Sequence, residues 1–188
     1  MSEVATQYPG IQRVVFSEEQ IASRVRELGR EIDAYYDPGD ELLVIGLLKG
    51  ACIFTSDLVR AIERPALKID FVVASLYGEG WDASGEVQLV NDVRAEIEAR
   101  HVLVVEDVVD SGKTLSRVCD RLLRRSPRSL EVCALLHKHL ARDLRYEPRW
   151  VGFAAPQDWL VGYGLDLGER YRHLPFVGAL ASEHERGL

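Results

Sequence analysis

Val104-Val105-Glu106-Asp107-Val108-Val109-Asp110-Ser111-Gly112-Lys113-Thr114-Leu115 passes from an apolar, β-type run directly into a helical pattern. The run Val102 to Val105 has no polar alternation, as expected of a strand covered on both faces. From Thr114 to Arg125 the spacing changes, and Leu115, Val118 and Leu122 fall on one side of a helix. The same unit recurs on either side. Leu42-Leu43-Val44-Ile45 reads as a buried strand, residues from about Ala51 to Glu63 as a helix stopped by Pro65, and Leu67 to Ser75 as a second strand. Leu130 to Leu136 supplies another strand downstream. Strand and helix alternate through residues 41 to 136, which predicts an α/β fold with a mainly parallel sheet flanked by helices.

Further out the pattern becomes less regular. Ser17 and Gln20 have capping-box spacing, and Ile21, Val25, Leu28 and Ile32 share a face of a helix that Pro38-Gly39 stops. Residues 76 to 86, LYGEGWDASGE, carry three glycines and no period; a brief strand near Val87 to Val90 pairs back across them. Short strands are expected near Val151 and Leu160. No repeat, low-complexity tract or linker divides the chain, so residues 1–188 read as a single domain.

Composition narrows the classes of function. Of 188 residues, 47% are apolar and 28% charged, which is a globular balance. The formal charge of −7 opposes non-specific binding to nucleic acid or to an anionic membrane. It opposes an anionic small molecule too, so capture of one needs local donors and a metal. Cys52, Cys119 and Cys133 form no CxxC pair and lie in apolar runs, which predicts buried free thiols in a reducing compartment. Leu42 to Leu48 is too short to cross a bilayer, and the first sixteen residues lack the features of a signal peptide. A cytoplasmic protein is expected.

In open α/β sheets ligands sit outside the carboxyl ends of the strands. That rule selects Lys49-Gly50, Tyr77, Glu106 to Thr114, and Lys138. Ser111-Gly112-Lys113-Thr114 combines successive backbone N–H groups, two hydroxyls and a helix N-terminus, a phosphate cradle. A nucleotide-binding P-loop needs glycine five positions before the GK glycine, where this chain has Asp107. The three carboxylates of Glu106, Asp107 and Asp110 would repel a bare phosphate. They suit a ligand that also carries hydroxyls or magnesium, as ribose 5-phosphate does. A solvated acidic turn capped by Asp110 or Ser111 accounts for the cap but requires no such run of acids.

EDVVDSGKT resembles the phosphoribosyl-pyrophosphate motif of type I phosphoribosyltransferases. Leu48-Lys49-Gly50-Ala51, Asp70-Phe71, the segment Val161 to Asp166 (VGYGLD) and the segment Tyr171 to Phe176 (YRHLPF) resemble hypoxanthine-guanine phosphoribosyltransferases, in the family's order, from about Val14 to Leu180. The resemblance implies the type I fold, with a small hood over the site built from the N-terminal segment and residues of about 150–188. It implies purine salvage: transfer of a phosphoribosyl group from phosphoribosyl pyrophosphate to hypoxanthine or guanine, with Mg2+, in a homodimer or homotetramer. Residue by residue, it implies that Asp110 through Thr114 hold the 5-phosphate, and Glu106 and Asp107 the ribose and metal. Lys49, Gly50, Leu76, Tyr77 and Arg172 would meet pyrophosphate. Lys138, Trp159, Leu160 and Asp166 would meet the base, with Asp166 also near the metal. Where bacterial relatives commonly have Ser before the lid tyrosine, this chain has Leu76.

Chemistry and resemblance together make Asp110 the general base for the purine ring nitrogen, and residues 76–86 a lid. Lys138 would donate to a 6-oxo group and leave a donor unpaired against the 6-amino group of adenine. His137 and His139 flank it without an evident third metal ligand, and read as ordinary side chains. Two other readings remain. One is an enzyme of the same fold acting on xanthine, adenine or a pyrimidine. The other is a nucleotide-sensing RNA-binding regulator, for which Arg121, Arg124, Arg125 and Arg128 are the basic candidates.

Overall fold

The structure, a computed structural model, describes residues 8, 10–77, 86–89, 91, 93–138 and 144–181. The main sheet has the order β4-β3-β2-β5-β6-β7, formed by Glu86–Leu89 (β4), Leu67–Tyr77 (β3), Leu42–Leu48 (β2), His101–Val109 (β5), Ser129–His137 (β6) and Trp150–Ala154 (β7). The five strands from β3 to β7 are mutually parallel, and β4 runs antiparallel to β3. Among the described residues three helices flank it: α1 (Glu18–Tyr35), α2 (Cys52–Ala61) and α3 (Lys113–Leu123).

Period-two alternation along strands with no polar face places the cores. Leu42 and Val44 of β2, Leu103 and Val105 of β5, and Cys133 and Leu135 of β6 pack with Ile21, Val25, Leu28 and Ile32 of α1 and Phe54 and Leu58 of α2. Their neighbours Leu43 and Ile45, Val102 and Val104, and Val132 and Ala134 pack on the opposite side with Leu115, Val118, Cys119 and Leu122 of α3. Helix α1 begins as its sequence predicts. The Gln20 amide donates to Ser17 Oγ at 3.3 Å and the Ser17 amide donates to Gln20 Oε1 at 2.8 Å.

Four differences from the sequence-based expectations have physical causes. Strand β5 continues past the apolar run to Val109, because Glu106, Val108 and Val109 stay in register with Ala134, Leu136 and His137 of β6. The acidic pair therefore stands on a strand end, not in a loop. Residues 150–154 are not hood but the edge strand of the main sheet, with Leu136 opposite Phe153. Cys52 is exposed, since α2 turns Phe54, Thr55 and Leu58 inward, whereas Cys119 and Cys133 are buried and burial raises both thiol pKa values, that of Cys119 to about 12. Two of the four arginines weighed as a basic face are engaged within the chain: Arg125 donates to the carbonyls of Val93 and Ala95, and Arg128 pairs with Asp40.

A second, antiparallel sheet joins the chain ends, in the order β1 (Ile11–Phe16), β9 (Val177–Leu180) and β8 (Leu160–Val161). Ile11, Val161, Leu174 and Leu180 form its own small core. This sheet carries the 159–174 segment to the carboxyl ends of β2, β5 and β6. No helix among the described residues is long and apolar enough to cross a membrane.

Candidate active site

Helix α3 starts from a left-handed residue. Gly112 is its N-cap at φ +69°, a conformation that costs glycine little and other residues more. Asp110 and Ser111, immediately before it, are exposed at the end of β5, and no side chain caps the helix. Neither Asp110 nor Ser111 is consumed as a cap. The first turn of α3 therefore begins directly beside the acids that end β5, where the positive end of a helix dipole favours an anion.

The neighbouring strand ends complete one rim. Lys138 follows β6, its amide bonded to the Val109 carbonyl at 3.0 Å, and its Nζ lies 3.8 Å from Asp110 Oδ2. After β2, the Leu48–Lys49 peptide is cis. The next residue, Gly50, sits directly against the Asp107 carboxylate, where any Cβ would collide with Oδ2. The Gly50 carbonyl in turn lies under Gly164, so a Cβ there would strike it. Lys49, Gly50, Asp107 and the VGYGLD segment therefore meet in space, although 115 and more residues separate their ends in sequence.

Arg172 is anchored from the hood. It donates to the Gly164 carbonyl at 2.7 Å and pairs with Asp166 at 2.8 Å and Glu169 at 3.3 Å. Its Nε is buried with no hydrogen-bond partner among the described residues. Lys49 Nζ reaches the same Glu169 carboxylate at 3.1 Å. Sequence reasoning missed Glu169, which bridges both cations that an anionic leaving group would need. The Lys49 and Arg172 hydrogen bonds lower its carboxyl pKa. Its φ of +65° is unusual for a non-glycine residue but leaves no mark in the sequence.

Trp159 is 38% exposed and so is not a core tryptophan. Its indole N–H donates to the Asp166 carbonyl at 3.5 Å. Leu160 beside it is buried on the edge strand of the hood sheet. Leu76 and Tyr77 end β3, opposite Val87 and Glu86 of β4. Residues 78–85, most of the segment expected to form a lid, lie outside the described residues.

The expected metal set separates. Asp166 is engaged by Arg172 and by the Glu169 amide, and no group of three or more His, Cys, Asp or Glu placed to hold a metal occurs among the described residues. Glu106 and Asp107 remain adjacent, Glu106 buried and Asp107 half-buried. Burial raises the pKa of each above its ordinary value, and for Glu106 the Asp107 charge adds to the effect. Two adjacent carboxylates, hard oxygen donors, fit a divalent cation that takes its other ligands from substrate or water.

A carboxylate whose pKa is higher folded than unfolded makes the folded chain bind the extra proton, so stability falls as pH rises through that window. In the metal-free protein the Glu106–Asp107 pair is therefore expected to become increasingly destabilising as pH rises above the ordinary carboxylate range of 3.8 to 4.5. Replacing Glu106 by Gln should flatten that dependence and raise the neutral-pH Tm by about 2–4 °C. Calorimetry across pH would refute this if the two profiles coincided.

Comparison with known proteins agrees with this geometry. The phosphoribosyl transferase domain model matches residues 15–167. Hypoxanthine-guanine phosphoribosyltransferase of Mycobacterium avium is 48% identical over 185 residues, covering 95% of this chain and 91% of the relative. The bifunctional protein TilS/HprT of Listeria innocua is 44% identical over 173 residues, covering 92% of this chain, which spans only 26% of that longer protein. A crystal structure of a hypoxanthine phosphoribosyltransferase from Staphylococcus aureus superposes with a TM-score of 0.88 at 37% identity, covering 97% of this chain and 98% of that one.

Proposed function

This chain belongs to the phosphoribosyl transferase family, and from that premise we propose that it salvages purines by transferring the 5-phosphoribosyl group of phosphoribosyl pyrophosphate to hypoxanthine or guanine. The single observation that supports the reading is the convergence, at the carboxyl ends of the strands, of a helix-opening turn at 110–114 that no side chain caps with the Glu106 and Asp107 carboxylates and with Lys49 and Arg172, which share Glu169. The products are IMP or GMP and pyrophosphate.

Each group has a role set by its position. The N–H groups of 111–114 hold the 5-phosphate, and Glu106 and Asp107 accept from the ribose hydroxyls. Lys49 and Arg172 stabilise negative charge growing on the leaving pyrophosphate, displacing Glu169 from between them. Trp159 offers its exposed ring to the purine. Asp110, exposed and close to Lys138, takes the proton of the attacking ring nitrogen. Mg2+ held by Glu106 and Asp107 would offset the negative charge growing on the leaving pyrophosphate. We place the activity in the cytoplasm, in a homodimer or homotetramer.

Lys138 sets the choice of base by donating to the 6-oxo group. Phosphoribosyl pyrophosphate, Mg2+ and each base in turn should give nucleotide from hypoxanthine or guanine and little from adenine. Lys138→Ala should lower kcat/KM for the 6-oxopurine about 10- to 100-fold, narrowing its lead over adenine. Turnover of adenine, xanthine or a pyrimidine in preference to hypoxanthine and guanine would favour the same-fold alternative and reject this one.

A further inference from the structure

Tyr163 occupies a left-handed position at φ +51°, between Gly162 at φ +95° and Gly164 at φ +103°. A bulky side chain in that region is strained, so a residue held there needs a compensating interaction. The structure shows one. The ring is only 6% exposed, and the hydroxyl donates to Asp57 Oδ2 of α2 at 2.6 Å. Arg60, one turn further on, pairs with the other oxygen of the same carboxylate. The turn is held equally firmly on its far side. The Tyr163 amide donates to the Leu174 carbonyl at 2.8 Å and the Gly164 amide to the Arg172 carbonyl at 2.9 Å.

Gly164 is thus a junction. It rests on the Gly50 carbonyl, and its own carbonyl receives the Arg172 guanidinium. We infer that Asp57 and Tyr163 are positioning residues: their hydrogen bond ties α2 to the hood turn and so fixes the spacing between the Lys49–Gly50 loop and Arg172, the two halves of the pyrophosphate grip. Helix α2 also grows directly out of that loop, with the Cys52 amide bonded to the Lys49 carbonyl at 3.1 Å. One short helix therefore holds both halves, at its start through the chain and a turn later through Asp57. The tyrosine hydroxyl is engaged by Asp57, so the role assigned to it is one of positioning and not of direct contact with the leaving group. This inference rests on the reading of Lys49, Gly50 and Arg172 as the pyrophosphate site.

Tyr163→Phe keeps the ring and removes only the hydroxyl. It should weaken binding of inorganic pyrophosphate with Mg2+, measured by calorimetry, about five- to tenfold, and raise the KM for phosphoribosyl pyrophosphate by a similar factor. The KM for hypoxanthine should stay the same. Asp57→Ala should reproduce the effect, whereas Asp57→Asn, which keeps an acceptor for the hydroxyl, should restore most of the wild-type affinity. A purely structural role would move both KM values together and would not separate Asn from Ala. Pyrophosphate affinity unchanged in Tyr163→Phe, with the wild type binding normally, overturns the inference alone. Failure of the wild type to bind pyrophosphate overturns the underlying reading of the site, and the inference with it.

Discussion

Replacing Asp110 by Ala is expected to lower kcat about 10²- to 10⁴-fold while changing Tm by no more than a few degrees. The asymmetry follows from where the side chain stands. It is 54% exposed, caps no helix and makes a long ion pair with Lys138 at 3.8 Å, so its loss removes little that holds the fold. What it removes is the acceptor nearest the phosphate turn. Glu106 and Asp107 cannot take over, because both stand further back on β5 and Asp107 is pinned between the Val108 amide, which donates to it at 2.9 Å, and Gly50. Single-turnover measurement with hypoxanthine isolates the chemical step. An unchanged rate would remove Asp110 from its role and leave the phosphate turn unaffected.

Gly50→Ala is expected to be nearly as damaging to activity and, unlike the first change, to destabilise the protein. The new methyl group has no space, because the Asp107 carboxylate already lies where it would go. Either the 49–50 peptide or Asp107 must move, at a cost of about 1–3 kcal/mol of overpacking. A shift of about 1 Å here misplaces Lys49 and the acid together, and kcat/KM should fall about 100-fold or more. The cause can be isolated with a double variant. In an Asp107→Ala background, Gly50→Ala should cost much less stability than in the wild type, since the obstructing group is gone. Additive losses in Tm would show that the clash is not with Asp107.

These predictions divide unevenly between what the chain shows locally and what only folding assembles. The capping box of Ser17 and Gln20, the unalternating strands and the passage of the SGKT turn into a helix depend on neighbours a few residues apart, and each takes the local structure expected of it. The rim of the site was legible because strand ends in a parallel sheet all open on one side. Contacts between distant segments were not legible. Nothing near Gly50 announces Asp107 or Gly164 as its neighbours, and nothing near Glu169 announces Lys49. Asp166 was placed with the metal acids by likeness of motif, but its carboxylate is occupied by Arg172. Cys52 misled for a related reason. An apolar run suggests burial, yet the helical face that α2 buries is chosen by Phe54 and Leu58 packing on the sheet.

The account stands on one physical claim: a single strand-to-helix turn grips the phosphate of a sugar whose hydroxyls face the adjoining acids. The most direct measurement is a crystal structure of the protein with IMP bound. The 5-phosphate is expected within hydrogen-bond distance of the amides of residues 111–114, with the ribose beside Glu106 and Asp107. Finding that phosphate anywhere else on the molecule would contradict the account.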